Sequence, residues 1–313
     1  MALALGIDTS NYTTSCAIYD VNTHSVIQQK QLLPVKPGEC GIRQSDAVFH
    51  HTQQLPLLME KLFSDLSGSV EAICVSSVPR MQEGSYMPCF TVGVGTARSL
   101  SAAMDIPLYF TSHQQGHIMA ALYSADKLDL LGDRFIAFHV SGGTTEAILV
   151  SPDNDEIFTC DIIAKTLDLN AGQLVDRVGV MLGLQFPCGK ELENLASEYK
   201  ERIKVRPVLK GADCCLSGFE NKLREIYKKS GDKSMTAAYT LAYIEATISA
   251  MTEKLFEQHG KLPVIYAGGV MSNKIIRDSL QNRFSASFAQ PQFSCDNAAG
   301  VALLCAYKHK YYK

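Results

Sequence analysis

Two histidines four residues apart are candidate metal ligands. His113 and His117 form an H-x-x-x-H pattern directly after the strand-like run 108–110. Side chains at i and i+4 share one face of a helix, so two imidazoles can hold one metal ion there. No Glu follows His113, which excludes the HExxH motif of zinc proteases. A third ligand must come from elsewhere, and Asp296 and His139 are the candidates. Spacing alone slightly favours the simpler alternative, two polar residues on a solvated helix face.

Three turns rich in glycine and hydroxyl groups form a second chemical pattern. They occupy 8–14, 141–145 and 268–269, and each follows an apolar strand-like run. Glycine lets backbone N–H groups approach a phosphate closely, and Ser or Thr hydroxyls add donors. No GxxxxGK[ST] is present and no GxGxxG follows a strand, which excludes a P-loop and argues against a dinucleotide site. Together the turns predict a nucleotide cleft between two lobes, with ordinary hairpin glycines as the alternative.

The elements around these residues alternate between strands and helices, which predicts an α/β fold. The runs 3–7 and 135–140 each precede a tight polar turn and a returning strand, so one strand–turn–strand unit recurs after about half of the chain. Such duplication predicts two similar lobes. Helices are predicted over 51–65, 91–104, 168–181, 235–258 and 297–307, and further strands over 72–75, 108–110 and 264–267.

The composition narrows the class of function. The chain has 313 residues, 46 % apolar and 19 % charged, enough for a large core and about two domains. A net charge of −3 excludes a strongly basic protein that binds nucleic acid alone by counterion release. Neither a signal-peptide pattern nor an apolar run of membrane length is present, so we expect a cytoplasmic protein with mainly free cysteines.

In this order, the motifs resemble those of the TsaD-type tRNA adenosine threonylcarbamoyltransferases, once called glycoproteases. The matching stretches are Gly6–Ser10, His113–His117, Val140–Gly143, Asp168–Asp176, Leu182–Gly189, Leu216–Gly218, Ala267–Asn273 and Asp296–Asn297. The resemblance implies the two-lobed actin/Hsp70/sugar-kinase fold. We expect residues 1–105 plus 296–313 to form the first lobe and 106–295 the second, with the nucleotide and metal cleft between them.

The resemblance also implies roles for individual residues. His113, His117 and Asp296 match the ligands of one divalent metal ion, iron or zinc, and His139 lies where some relatives offer a Tyr ligand. These three ligands, with Ser141 and Gly142, are the expected catalytic residues. The residues expected around the adenylate are Thr9, Ser10, His139, Val140, Ser141, Gly142, Gly143, Asp176, Gly189, Glu193, Gly268, Gly269 and Asn273.

The implied reaction transfers a threonylcarbamoyl group from threonylcarbamoyl-AMP to N6 of adenosine 37 in tRNAs that read ANN codons. The metal would polarise the carbonyl of the donor, and the N–H groups of the Ser141–Gly143 turn would stabilise the departing phosphate. The implied partners are tRNA, helper subunits of a threonylcarbamoylation complex, and a homo- or heterodimer through an actin-like lobe, with no membrane. The basic segment 222–233 is a possible RNA contact, although a solvated helix face is the favoured interpretation.

Several positions depart from the family pattern. Tyr12 and Thr13 replace an acidic pair, Thr144 replaces the His of SGGH, and Leu169 and Gln173 replace two acids. Three alternatives follow from these changes and from the fold. The chain could be a divergent carbamoyltransferase with another acceptor, a nucleotide-binding scaffold subunit of the tRNA-modification complex, or a sugar kinase or other ATPase. Histidine ligands argue against the last, because Mg²⁺ prefers oxygen ligands.

Overall fold

The computed structural model describes residues 3–10, 12–34, 42–64, 66–294 and 298–311. The chain divides into two compact units. The first comprises residues 1–131, 152–160 and 292–313, and the second comprises residues 132–151 and 161–291. Each unit contains strands and helices, as the alternation in the sequence predicted.

The strands and helices have the following bounds in chain order. The strands are β1 (Leu3–Asp8), β2 (Thr13–Asp20), β3 (Ser25–Leu32), β4 (Val70–Val78), β5 (Leu108–Ser112), β6 (Phe135–Val140), β7 (Thr145–Asp153), β8 (Ile157–Lys165), β9 (Val208–Lys210), β10 (Asp213–Cys215), β11 (Val264–Ala267) and β12 (Ser287–Phe288). The helices are α1 (Gln44–Ser64), α2 (Phe90–Met104), α3 (His113–Ser124), α4 (Ala171–Met181), α5 (Gly189–Glu198), α6 (Ser217–Ser230), α7 (Lys233–His259), α8 (Lys274–Phe284) and α9 (Ala299–Tyr311). None of these helices is long and apolar enough to cross a membrane.

The two five-stranded sheets repeat one topology. The first has the order β3-β2-β1-β4-β5, and the second, read from its other edge, has the order β8-β7-β6-β11-β12. In each sheet the central strand is antiparallel to the next strand in sequence and parallel to a later one, β4 or β11. The predicted duplication of strand–turn–strand units is therefore confirmed.

The first unit is packed on both faces of its sheet. Residues of β1, β4, α1 and α2 form one buried apolar cluster, and Ala4, Cys74, Val301 and Cys305 form another on the α9 side. Helix α9 lies so close to β1 that a Cβ on Gly6 would collide with the backbone N of Ala302. Because both faces of the sheet are covered, β1 is buried along its whole length and shows no alternation of buried and exposed residues.

The boundary between the units differs from the expected one. Residues 106–131 belong to the first unit, because β5 pairs in parallel with β4 and α3 packs against α9. The tip of the β7–β8 hairpin, residues 152–160, belongs to the first unit as well. The second unit has its own large core, which α4, α5, α6 and α7 build over the sheet.

Candidate functional site

The two candidate metal ligands lie side by side at the start of α3. Strand β5 ends at Ser112, whose side chain accepts a hydrogen bond from the Gln115 backbone N at 3.2 Å and so caps the helix. The helix therefore begins at His113 and presents His113 and His117 on one face. Their Nε2 atoms are 2.9 Å apart, and the rings meet edge to face.

Asp8, at the end of β1, holds the His113 ring in place. Its Oδ2 accepts hydrogen bonds from His113 Nδ1 at 2.8 Å and from Ser76 Oγ at 2.7 Å, and Oδ1 accepts one from the Ser10 backbone N at 2.8 Å. Burial by itself raises the pKa of this carboxyl, but His113 and the three hydrogen bonds together hold the pKa below its ordinary value. The ionised carboxylate can only accept, so Nδ1 of His113 carries a proton, and Nε2 is the ring nitrogen left to face a metal ion.

This pair of imidazoles fits a metal ion. Zinc–nitrogen bonds are about 2.0–2.1 Å long, and two tetrahedral ligands then lie roughly 3.3 Å apart, close to the spacing of the two Nε2 atoms. A carboxylate on the far nitrogen of a ligating histidine is the usual arrangement at such sites. The expected third ligand, Asp296, lies outside the described residues. Among the described residues, no group of three His, Cys, Asp or Glu side chains is placed to bind a metal.

The first turn of the chain uses its hydroxyl groups differently from one position to the next. Thr9 Oγ1 donates to the Cys89 carbonyl at 3.0 Å and accepts from the Gly93 backbone N at 3.1 Å, so this side chain anchors the turn to the start of α2. Ser10 Oγ is buried and has no hydrogen-bond partner within the described part of the chain. Of Thr9 and Ser10, the two residues expected at the adenylate here, Ser10 is therefore the one whose hydroxyl can still form hydrogen bonds with a ligand.

In the second unit, six residues expected at the adenylate line one pocket of about 380 Å³. They are Gly142, Asp176, Gly189, Glu193, Gly269 and Asn273. Lys190 supplies a positive charge to the same wall. Residues far apart in the sequence thus converge on one concave surface, as in small-molecule sites generally.

The turn after β6 forms one edge of this pocket and is held against the start of α4. Ser141 N donates to the Thr144 carbonyl at 2.7 Å, which closes the turn, and Gly172 N donates to the Ser141 carbonyl at 3.1 Å. A Cβ on Gly172 would lie 2.5 Å from the Gly142 backbone N, so only glycine permits this approach. A Cβ on Gly142 itself would meet nothing within 4 Å. Packing therefore requires glycine at position 172, whereas Gly142 faces open space.

The turn after β11, the strand that pairs with β6, also lines the pocket. Gly268 has φ +101° and its Cβ would collide with the Val140 carbonyl, so this residue must be glycine. Asn273 Oδ1 accepts from the Ile276 backbone N at 3.2 Å and caps α8. Glu193 accepts from the Lys274 backbone N at 2.9 Å. These polar groups are thereby oriented by the helix ends that they stabilise.

Asp176 lines the pocket and also supports its wall, whereas His139, Val140 and Gly143 are not among the residues that line it. Asp176 Oδ1 accepts from the Cys188 backbone N at 2.9 Å and fixes the loop that leads to Gly189. His139 lies on β6 opposite Glu146 of β7. Val140 ends β6, and Gly143 belongs to the turn that follows. Asp8 and Gly172 carried no role in the sequence analysis.

Solved structures with similar folds place the chain in a structural class. The (R)-2-hydroxyglutaryl-CoA dehydratase component A of Acidaminococcus fermentans aligns over 100 % of both chains with a TM-score of 0.57 and 16 % identity. A ROK family glucokinase of Streptomyces griseus aligns over 98 % of this chain and 100 % of its own with a TM-score of 0.54 and 11 % identity. The fold is that of the actin/Hsp70/sugar-kinase class.

Sequence comparison identifies the family within that class. The family model "tRNA N6-adenosine threonylcarbamoyltransferase" (TsaD) matches residues 21–303. A protein of that name from Sulfurihydrogenibium sp. (strain YO3AOP1) is 31 % identical in an alignment that covers 96 % of this chain and 88 % of the relative. The chain belongs to the TsaD family of transferases.

Proposed function

We propose that this chain transfers the threonylcarbamoyl group from threonylcarbamoyl-AMP to N6 of adenosine 37 in tRNAs that read ANN codons. The observation that carries the proposal is the pocket of the second unit, where six residues expected at the adenylate lie together. Family membership supplies the reaction class, because the curated relatives carry the name of this transferase.

The pocket of the second unit suits the adenylate half of the donor. The N-terminus of α4 lies at its edge, and the helix dipole favours a phosphate near that end. Lys190 adds a positive charge. The carboxylates of Asp176 and Glu193 are acceptors for ribose hydroxyls. As the N6 amine attacks, an N–C bond forms, the bond from the carbonyl carbon to the AMP oxygen breaks, and N6 gives up one proton to solvent. Negative charge grows on the departing phosphate, and the turn at Gly142 stabilises it there.

The histidine pair of the first unit suits the metal ion. His113 and His117, with Asp296 as the proposed third ligand, would hold iron or zinc, which supplies Lewis acidity toward the donor's carbonyl when bound. The Asp8 carboxylate keeps the proton of His113 on Nδ1, so Nε2 is a ready ligand atom. His117 must then bind through its own Nε2, which requires its proton to leave that atom or move to Nδ1.

The partners follow from the charge. With a net charge of −3, the chain as a whole offers little attraction to a polyanion. We therefore propose that helper subunits contribute to tRNA binding. We also propose that a homo- or heterodimer forms through an actin-like lobe and that the protein works in the cytoplasm.

The test combines metal analysis with an activity assay. The purified protein is analysed for bound metal and then incubated with threonylcarbamoyl-AMP and unmodified tRNA. We expect stoichiometric metal and modified adenosine in the wild type, and loss of both in His113→Ala/His117→Ala. The matched control, His50→Ala/His259→Ala, removes two histidines outside the site and should retain both.

Other results would redirect the proposal. Bound metal without a tRNA product, even with helper subunits added, would favour a carbamoyltransferase with another acceptor, which Tyr12 and Thr13 in place of the family's acids make the second candidate. Absence of metal would refute the metal-dependent reaction and leave the nucleotide-binding scaffold as the better account.

A further inference from the structure

A second, larger groove lies in the second unit. It has a volume of about 1050 Å³ and shares no lining residue with the adenylate pocket. Its walls are the segment 202–206, the start of β9, and faces of α6 and α7. Pockets for small molecules usually have volumes of about 300–1,000 Å³, so the groove is at or above the upper end of that range.

The lining of the groove is basic. It contains Arg202, Lys204, Arg206 and Lys222 against one acid, Glu245, a balance of 4 − 1 = +3 in a chain whose net charge is −3. In the described part of the chain, none of these four cations forms an ion pair with a carboxylate. Glu245 accepts hydrogen bonds from two serine hydroxyls. The positive charge of the groove is therefore not neutralised by ion pairs.

Three of the cations form a row. Arg202, Lys204 and Arg206 are exposed, while Ile203 and Val205 between them pack against the core. Alternation with period two indicates an extended backbone, in which every second residue is about 6.6 Å further along. This spacing is of the same order as that of successive phosphates in a nucleic-acid strand. A row of charges suits a linear polyanion better than a single phosphate.

The floor beneath the row is aromatic but closed. The rings of Phe219 and Tyr243 stack with centroids 3.7 Å apart, and both side chains are buried, at 6 % and 2 % exposure. Lys222 Nζ lies 5.6 Å from the Phe219 centroid. Because neither ring offers a free face, the floor supports the cations and gives bases no stacking surface. The groove is thus built to contact a backbone and not to read bases.

We propose that this groove binds the phosphate backbone of the tRNA substrate, an inference that rests on the proposed function. The segment 222–233 contributes through Lys222, at the groove, and not through its other lysines. Binding is independent of sequence and depends steeply on salt, because it proceeds by release of counterions from the RNA.

The experiment measures binding of fluorescently labelled unmodified tRNA by anisotropy over a series of salt concentrations. The test variant is Arg202→Gln/Lys204→Gln/Arg206→Gln. The control, Lys228→Gln/Lys229→Gln/Lys233→Gln, removes the same charge from exposed positions of α6 and α7 outside the groove. In the test variant, we expect at least tenfold weaker binding at low salt. The slope of log K against log salt should become shallower by roughly 2–3, since each lost phosphate contact removes about 0.7–0.9. The control should lose much less of both.

Three results would overturn the assignment: absence of tRNA binding by the wild type at low salt, equal losses in the test and control variants, or an unchanged slope in the test variant. AMP binding and thermal unfolding are measured for all three proteins to show that fold and adenylate pocket are intact. If the wild type binds tRNA through the groove but forms no modified adenosine, the proposed reaction is refuted and the proposed tRNA contact is retained. If the test variant modifies tRNA with an unchanged KM, the tRNA contact is refuted and the reaction is retained.

Discussion

Two glycines, Gly142 in the turn after β6 and Gly172 at the start of α4, allow the effects of packing and of ligand binding to be measured separately. A Cβ on Gly172 would lie 2.5 Å from the Gly142 backbone N and 2.7 Å from the Ser141 carbonyl carbon. To reach an ordinary contact of about 3.4 Å, the turn and α4 must move apart by roughly 0.9 Å, and overpacking of this kind costs about 1–3 kcal/mol. Gly172→Ala should therefore lower both the free energy of unfolding and nucleotide affinity.

Gly142→Ala should weaken ligand binding without lowering the free energy of unfolding. Its Cβ would meet nothing within 4 Å, and its backbone lies outside the left-handed region, so the folded protein tolerates the methyl group. The methyl group projects from a residue that lines the pocket, where the proposed phosphate lies. Loss of one charge-assisted hydrogen bond costs about 1.5–3 kcal/mol, which corresponds to a roughly 10- to 150-fold rise in Kd.

Isothermal titration with AMP and urea unfolding of the two variants test this distinction. The expected pattern is weaker AMP binding in both, with destabilisation confined to Gly172→Ala. Gly95→Ala is the matched control, because its Cβ also meets nothing within 4 Å and the residue lies on the exposed side of α2, outside the residues that line the pocket. Wild-type AMP affinity in Gly142→Ala would refute the placement of the phosphate at this turn.

Three further perturbations test the first unit. Asp8→Asn removes the carboxylate that fixes the proton of His113, so metal affinity in a chelator competition should fall about 10- to 100-fold; unchanged affinity would contradict that role. Burial lowers the pKa of His51 to about 4, so the unfolded state binds more protons between about pH 4 and 6.5. Stability should accordingly fall by roughly 2–3 kcal/mol as the pH drops through this window, and His51→Gln should flatten the urea-unfolding profile. Gly6→Ala forces a methyl group against α9 and should destabilise by about 1–3 kcal/mol in urea, whereas Gly95→Ala, on the exposed side of α2, should not; equal effects would contradict the packing argument.

Features encoded by short stretches of sequence were predictable. The strand–turn–strand units at β1–β2 and β6–β7 follow from alternating apolar runs and tight turns, and both sheets contain them. The helix at 90–104 differs by one residue from the predicted 91–104. In each case the interactions involved are local.

Features that depend on distant parts of the chain were not predictable. Asp8 meets His113 because β1, β4 and β5 are parallel neighbours, a strand order that no local pattern encodes. The same pairing moves residues 106–131 into the first unit. Helices α3, α5, α6 and α8 were not among the predicted helices; the last three have polar sequences that show only narrow apolar faces.

The departures from the family pattern near α4 leave the proposed adenylate pocket suited to an anion. Leu169, in place of an acid, is buried in the core of the second unit. Gln173 accepts from the Asn170 backbone N at 3.3 Å, so it keeps the capping function that a Glu would have at this position, without the charge. The first turn of α4 therefore carries no acidic residue, and no carboxylate there opposes the attraction of its N-terminus for a phosphate. Because these two changes leave the proposed adenylate pocket suited to a phosphate, any altered specificity is better sought at Tyr12 and Thr13, in the first unit.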